Sequence, residues 1–126
     1  IMKASDITVS DLSDEILGKL KAFNPDINIT KNNQEAVKSA DIIILAVKPW
    51  LANEVINNLE LNFEKQLLIS VAAGISLEEY SNWTSSSATI FRVVPNTAIS
   101  ELASMKLIAS RNSSDAQNQI ILDIFN

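Results

Sequence analysis

One stretch limits what this chain can become: Ala40–Trp50, ADIIILAVKPW. Ile42, Ile43, Ile44, Leu45, Ala46 and Val47 form an unbroken apolar run, rich in β-branched residues and too short for a long helix. Alternation of apolar and polar residues would describe a strand with one wet face. A continuous run needs cover on both faces, as a parallel sheet between helix layers provides. Ile42–Val47 is therefore expected to be the central strand, buried on both sides. The run stops at Lys48-Pro49. Open parallel sheets bind ligands at the carboxyl ends of their strands, so a site is expected to border Val47–Trp50.

The flanking segments fit the same plan. Asp6–Asp11 is predicted as a strand, and Ser13 as the cap of a helix with Ile16, Leu17, Leu20 and Phe23 on its inward face. Asn24-Pro25-Asp26 breaks that helix, and Ile27–Thr30 alternates like a short, half-exposed strand. Asn32 or Asn33 caps a brief helix through Val37. After Pro49, the spacing of Leu51, Val55, Ile56 and Leu59 predicts a helix. Leu67–Val71 is a second buried strand, ending in Ala72-Ala73-Gly74. Ser76 with Glu79, and Ser114 with Gln117, are capping boxes that start helices. Between them, Thr89–Val94 is a third strand closed by Pro95-Asn96-Thr97, and Met105–Ala109 a last one. Alternating strands and helices of this kind build βαβ units and a doubly wound sheet.

Composition narrows the chemistry. With 126 residues, 47% of them hydrophobic, the chain can build one ordinary core. It holds no apolar run of ~18 residues and no signal peptide, so no membrane span is expected. Cysteine is absent, which points to a reducing cytoplasm. Histidine is absent too, which removes the Ser–His–Asp triad and the Cys–His pair and leaves no ordinary zinc ligand set. A net charge of −5 with scattered basic residues argues against nucleic acid as a partner. Two glycines are too few for a phosphate-cradling loop within these residues.

Three strands end in similar chemistry: Val47-Lys48-Pro49, Val71-Ala72-Ala73-Gly74 and Val94-Pro95-Asn96-Thr97. Small residues let a ligand approach the backbone, proline sets the turn, and Asn and Thr offer donors and acceptors. The same residues also serve as ordinary turn punctuation.

ILAVKPW, LLISVAAGIS and RVVPNTA, in this order and spacing, resemble the N-terminal dinucleotide-binding domain of pyrroline-5-carboxylate reductase, which reduces a cyclic imine to proline with NADH or NADPH. The resemblance covers nearly the whole chain. It implies an α/β, Rossmann-like doubly wound, mostly parallel sheet with helices on both faces. It also implies that residues 1–126 are a partial NAD(P)-binding domain. The family's first strand with its glycine-rich turn, and its C-terminal helical dimerisation domain, are expected outside this sequence. A homo-oligomer built on that helical domain is the expected assembly, and no reductase activity is expected of residues 1–126 alone. Two departures fall near the expected substrate edge: Ala98 stands where the family usually has proline, and Leu102 where it usually has glycine.

The resemblance also assigns residues. Asp11 would meet the adenosine ribose, and its carboxylate favours NADH over NADPH. Asn33 would lie near the adenine end. Ala46, Val47, Lys48 and Pro49 would form the cofactor-contacting turn, and Val71, Ala72 and Ala73 would lie under the nicotinamide ribose. Asn96 and Thr97 would face the imine substrate. No residue qualifies as a general acid. Each assignment has a plainer counterpart: a solvated turn aspartate at Asp11, a helix cap at Asn33, a solvent-facing lysine at Lys48. Tight strand–helix packing serves for 71–73, a simple turn for Asn96 and Thr97, and a structural ion pair for Arg92. The alternatives at the level of function are a related imine or ketone reductase, or a non-catalytic dinucleotide-binding module.

Overall fold

The computed structural model describes residues 3–96 and 104–125, which fall into two compact units, Ile1–Ala40 with Leu59–Leu61, and Asp41–Asn58 with Asn62–Asn126. In the first unit, β1 (Thr8–Ser10) and β2 (Asn28–Thr30) pair in parallel, with Val9 opposite Ile29. The crossover between them is α1 (Asp14–Phe23), capped by Ser13, whose Oγ accepts from the Ile16 N–H at 3.3 Å. α2 (Asn33–Val37) follows β2. Leu59–Leu61 joins this unit through Gln34: its Nε2 donates to the Glu60 carbonyl at 3.3 Å, and its Oε1 accepts from the Glu60 N–H at 2.8 Å.

Two expectations fail here. Leu17 is buried and Leu20 half-buried on α1, but Ile16 and Phe23 are exposed. Two three-residue strands offer too narrow a surface to cover all four. Leu59 also lies beyond the helix it was expected to mark, which ends at Asn57.

In the second unit, β3 (Ile42–Leu45), β4 (Leu67–Ser70), β5 (Thr89–Asn96) and β6 (Ser104–Arg111) form one sheet in that order. β3, β4 and β5 run parallel; β6 returns antiparallel to β5 with a register irregularity at Arg92/Val93. A 3₁₀ turn at Pro49–Leu51 leads into α3 (Ala52–Asn57), which packs beside α4 (Leu77–Trp83) and buries Ala52 and Ile56. The Ser76–Glu79 capping box opens α4 as expected. The Ser114–Gln117 pair does the same for α5 (Asp115–Phe125), with Gln117 N–H on Ser114 Oγ at 3.1 Å and Ser114 N–H on Gln117 Oε1 at 2.9 Å. Between β6 and α5, Asn112 adopts φ 59, and its side chain donates to the carbonyls of Ser86 and Ala88.

The sheet of this unit carries helices on both faces. Ile69, Phe91 and Val93 pack with Ile121 of α5, and partly buried Ile42, Leu67 and Val71 extend that cluster. Ser70 points to the other face, where its hydroxyl meets the Tyr80 hydroxyl of α4 at 2.5 Å. The chain therefore has the expected α/β, Rossmann-like class.

The central strand is not the one expected. β3 ends at Leu45 rather than Val47, and it occupies an edge of its sheet. Ile43 and Leu45 are buried, whereas Ile44 is 48% exposed. The cluster around Ile121 reaches Ile42 and stops short of Ile44. The strands covered on both faces are β4, with Leu68, Ile69 and Ser70 all buried, and β5, with Thr89, Ile90 and Phe91 all buried. Likewise Pro95 and Asn96 do not close β5 in a turn but continue its ladder, opposite Met105 and Ser104.

Burial pushes the Tyr80 phenol above its ordinary value of 10.0; the Ser70 hydrogen bond and the Arg92 charge pull it down, and Glu79 pushes it up. Above that ordinary value the unfolded chain ionises while the folded one does not, so unfolding releases a proton and stability falls as pH rises. The intact protein should lose denaturation midpoint from about pH 10 upward, and Tyr80→Phe should flatten that loss. Parallel alkaline profiles for the two proteins would contradict this. The packing yields a second expectation. Ile69→Ala should cost about 2–5 kcal/mol in urea unfolding and Ile69→Val about 0.5–1.5 kcal/mol. Equal losses would place Ile69 outside the core.

Candidate functional site

In the first unit, polar groups gather at the carboxyl end of β1. The Asp11 N–H donates to the Thr30 carbonyl at 3.2 Å, so the parallel ladder ends on this residue. Its Oδ1 accepts from the Ser13 N–H at 2.8 Å, a turn that sets Ser13 in place to cap α1. Asp11 is half-buried and so has both a structural partner and a place at the strand end.

Asn32, not Asn33, caps α2; its Oδ1 accepts from the N–H groups of Gln34 and Glu35 at 2.9 and 3.2 Å. Asn33 is thereby released from capping. Its Oδ1 instead accepts from Ser10 Oγ at 2.6 Å, which holds the exposed Asn33 beside the last residue of β1. Asp11 and Asn33 are therefore brought to the same strand end, with Ser10 as the link. Ser10 was not legible as a site residue in the sequence. Its only signal was a hydroxyl residue immediately before the acidic strand end.

In the second unit, the Val71 N–H donates to the Leu45 carbonyl at 3.1 Å, locking the ends of β3 and β4 together. The backbone leaves the sheet there on both strands. On the β3 side, Ala46 and Lys48 are exposed and Val47 and Pro49 half-buried. Pro49 occupies the first position of the 3₁₀ turn, where a missing N–H costs nothing, and the Leu51 N–H closes the turn on the Lys48 carbonyl at 2.9 Å. Trp50, just beyond, is 76% exposed.

On the β4 side, Val71 is half-buried, Ala72 is buried, and Ala73 and Gly74 are exposed. Gly74 has φ +79, a conformation that side chains rarely adopt, although a Cβ there would meet nothing within 4 Å. The requirement for glycine is conformational. The small size of Ala72 is demanded by packing as well as by any ligand, while Ala73 and Gly74 present open backbone. This turn can accept a flat ring or a ribose against main chain.

Below the turn, Ser70 Oγ accepts from the Ala72 N–H at 3.2 Å and is joined to the Tyr80 hydroxyl. Arg92 sits opposite Ser70 in the β4–β5 register. Its buried Nε has no hydrogen-bond partner, and Arg92 makes no ion pair among the described residues, so the pairing expected of it is not found there. Sequence reasoning also passed over Ser70 and Tyr80. A single hydroxyl at the end of an aliphatic strand was the available signal. Asn96 is the last residue of β5; Thr97, Ala98 and Leu102 lie outside the described residues. Among the described residues, no group of acidic side chains could hold a metal, and no helix is long and apolar enough to cross a membrane.

The chain is 35% identical to the pyrroline-5-carboxylate reductase of Methanosarcina acetivorans over 99% of its own length and 47% of that protein's. It is 35% identical to the Haemophilus influenzae enzyme of the same name, over 96% of this chain and 45% of that one. Among solved structures, the Plasmodium falciparum pyrroline carboxylate reductase with NADP bound superposes with a TM-score of 0.81 at 28% identity, covering 100% of this chain and 45% of that one. The chain thus spans about half the length of the curated relatives it matches. Its fold is that of their Rossmann-like, nicotinamide-dinucleotide-binding domain. A family model described as NADP oxidoreductase, coenzyme F420-dependent, matches residues 3–74, from before β1 through the turn after β4. The chain belongs to that family.

Proposed function

We propose that the protein carrying this chain reduces pyrroline-5-carboxylate to proline, and that residues 1–126 are the part that binds the reduced nicotinamide dinucleotide. One observation carries the reading: the ends of β3 and β4 are locked by the Val71–Leu45 hydrogen bond, and the open backbone of Ala73-Gly74 leaves the sheet there. A parallel sheet takes its nucleotide at the carboxyl ends of its strands, and this turn lies at two of them. The reductases similar to this chain, one of them with NADP bound, support the same reading.

The residues divide the work by position. Asp11 offers its carboxylate to the ribose hydroxyls at the adenosine end, and Asn33, held by Ser10, lies near the adenine. Ala46, Val47, Lys48 and Pro49 flank the cofactor on the β3 side. Val71, Ala72 and Ala73 support the nicotinamide ribose, where bulk would keep the ring from the backbone. Asn96 and Thr97 face the cyclic imine. When bound, the reduced nicotinamide supplies the hydride; this chain orients it and keeps the approach clear. The rest of the imine pocket, and the contacts of a homo-oligomer, belong to a helical domain outside residues 1–126. A cytoplasmic location fits a chain without cysteine.

Cofactor choice follows from charge. A carboxylate at Asp11 accepts two ribose hydroxyls, but facing a 2′-phosphate it would set like charges together, at a cost on the order of a few kcal/mol. No Lys or Arg lies between Asp11 and Lys19 to offset it. NADH is therefore the preferred cofactor, with NADPH second. The test is kcat/KM of the full-length protein on pyrroline-5-carboxylate with each cofactor. We expect turnover, a preference for NADH, and a narrowed or reversed preference in Asp11→Ser. No turnover with either cofactor would refute the proposed activity. A wild type that favours NADPH would show that Asp11 serves only its turn with Ser13.

A further inference from the structure

Three hydroxyl and amide groups form a buried relay behind the β4 turn. The Tyr80 hydroxyl on α4 meets Ser70 Oγ at 2.5 Å, and Ser70 Oγ accepts from the Ala72 N–H at 3.2 Å. Tyr80 and Ser70 are almost wholly buried, at 0% and 1% exposure. A serine hydroxyl has one proton to give and two lone pairs to accept with. With one lone pair committed to Ala72, its rotation is fixed only if a second group holds it, and Tyr80 is that group.

The connection from β4 to α4 is restrained at its far end as well. The Ser76 N–H donates to Glu79 Oε2 at 2.9 Å and the Glu79 N–H to Ser76 Oγ at 3.1 Å, which fixes the helix start. Tyr80 lies one residue beyond Glu79 and fastens the first turn of α4 to the last residue of β4. The exposed part of the connection, Ala73-Gly74, is therefore held between two anchored points. Edge-to-face packing with Trp83, ring centroids 5.5 Å apart, sets the plane of the Tyr80 ring.

We propose that Tyr80 is a positioning residue for nicotinamide binding, acting through Ser70 to hold the Ala72 amide and with it the backbone of 72–74. The inference rests on the reading of that turn as the nicotinamide side of the cofactor site. It goes beyond that reading in giving a residue of α4, remote from the ligand, control over cofactor affinity. Phenylalanine keeps the ring and its contact with Trp83 and removes only the relay. The phenol, pushed upward by burial, stays neutral at ordinary pH, so the relay is a neutral hydrogen-bond chain.

The test uses the full-length protein and four forms: wild type, Tyr80→Phe, Ser70→Ala and the double variant. KM for NADH, kcat, NADH affinity by calorimetric titration and the melting temperature are measured on each. A neutral hydrogen bond lost from the relay should raise the NADH KM and Kd by roughly three- to tenfold, with a smaller change in kcat. The double variant should be no weaker than Ser70→Ala alone, because Tyr80 acts through Ser70. Amide exchange at Ala72 should quicken in Tyr80→Phe while exchange at Ile69 does not. An unchanged NADH KM in a folded Tyr80→Phe protein overturns the inference. So does a double variant whose loss is the sum of the two single losses. A wild type that binds no NADH refutes the cofactor reading itself, and the exchange rate at Ala72 then still decides whether the relay holds the turn.

Discussion

A parallel strand has to hide both faces, and in the larger unit Leu67–Ser70 shows how the demand is met. Its backbone is paired on one side with Ile42–Leu45 and on the other with Thr89–Asn96. Ile69 turns toward Phe91, Val93 and Ile121; Ser70 turns toward Tyr80. One face is thus satisfied by apolar contact alone and the other includes a hydrogen bond. An aliphatic residue in place of Ser70 would leave the buried Tyr80 hydroxyl without its partner, at a cost of about 1–3 kcal/mol. The serine is a compromise between burial and the need to hold what lies beyond the strand.

What lies beyond is the reason for the arrangement. Where Val71 donates to Leu45, the last ladder bond between the two strands is made and the backbone of both turns outward. From that point the main chain is free to meet a ligand, provided that nothing bulky stands over it and that it does not move. Ala72 and Gly74 meet the first condition by size and by conformation. The Ser70–Tyr80 pair and the Ser76–Glu79 capping box meet the second. In the smaller unit the same division holds: the Asp11 turn onto Ser13 and the Ser10–Asn33 bond fix the polar groups at the end of β1.

Much of this was legible in the sequence because it is local. The Ser76–Glu79 and Ser114–Gln117 boxes, the Ser13 cap and the short apolar runs that become β3, β4 and β5 depend on neighbours a few residues apart, and all are found. The errors concern neighbours far along the chain. The isoleucines of β3 are more continuous than those of β4, yet β4 lies between two partners and β3 has one; apolar content does not encode sheet order. Asn96 resembled a turn because Pro95 precedes it, but pairing with Met105 and Ser104 carries both residues into the sheet. Ser10, Ser70 and Tyr80 were invisible as a set because each is an ordinary residue until the fold places it against its partner.

Under the proposed function, the strand ends at 10–11, at 46–49 and at 71–74 would each meet a nicotinamide dinucleotide. Amide hydrogen exchange of the intact protein with and without saturating NADH tests it segment by segment. Exchange should slow at Asp11, at Ala46 to Lys48 and at Ala72 to Gly74, with Leu67–Ser70 already slow in both states because it is core. Protection confined to other segments, or no difference between the two states, would contradict it.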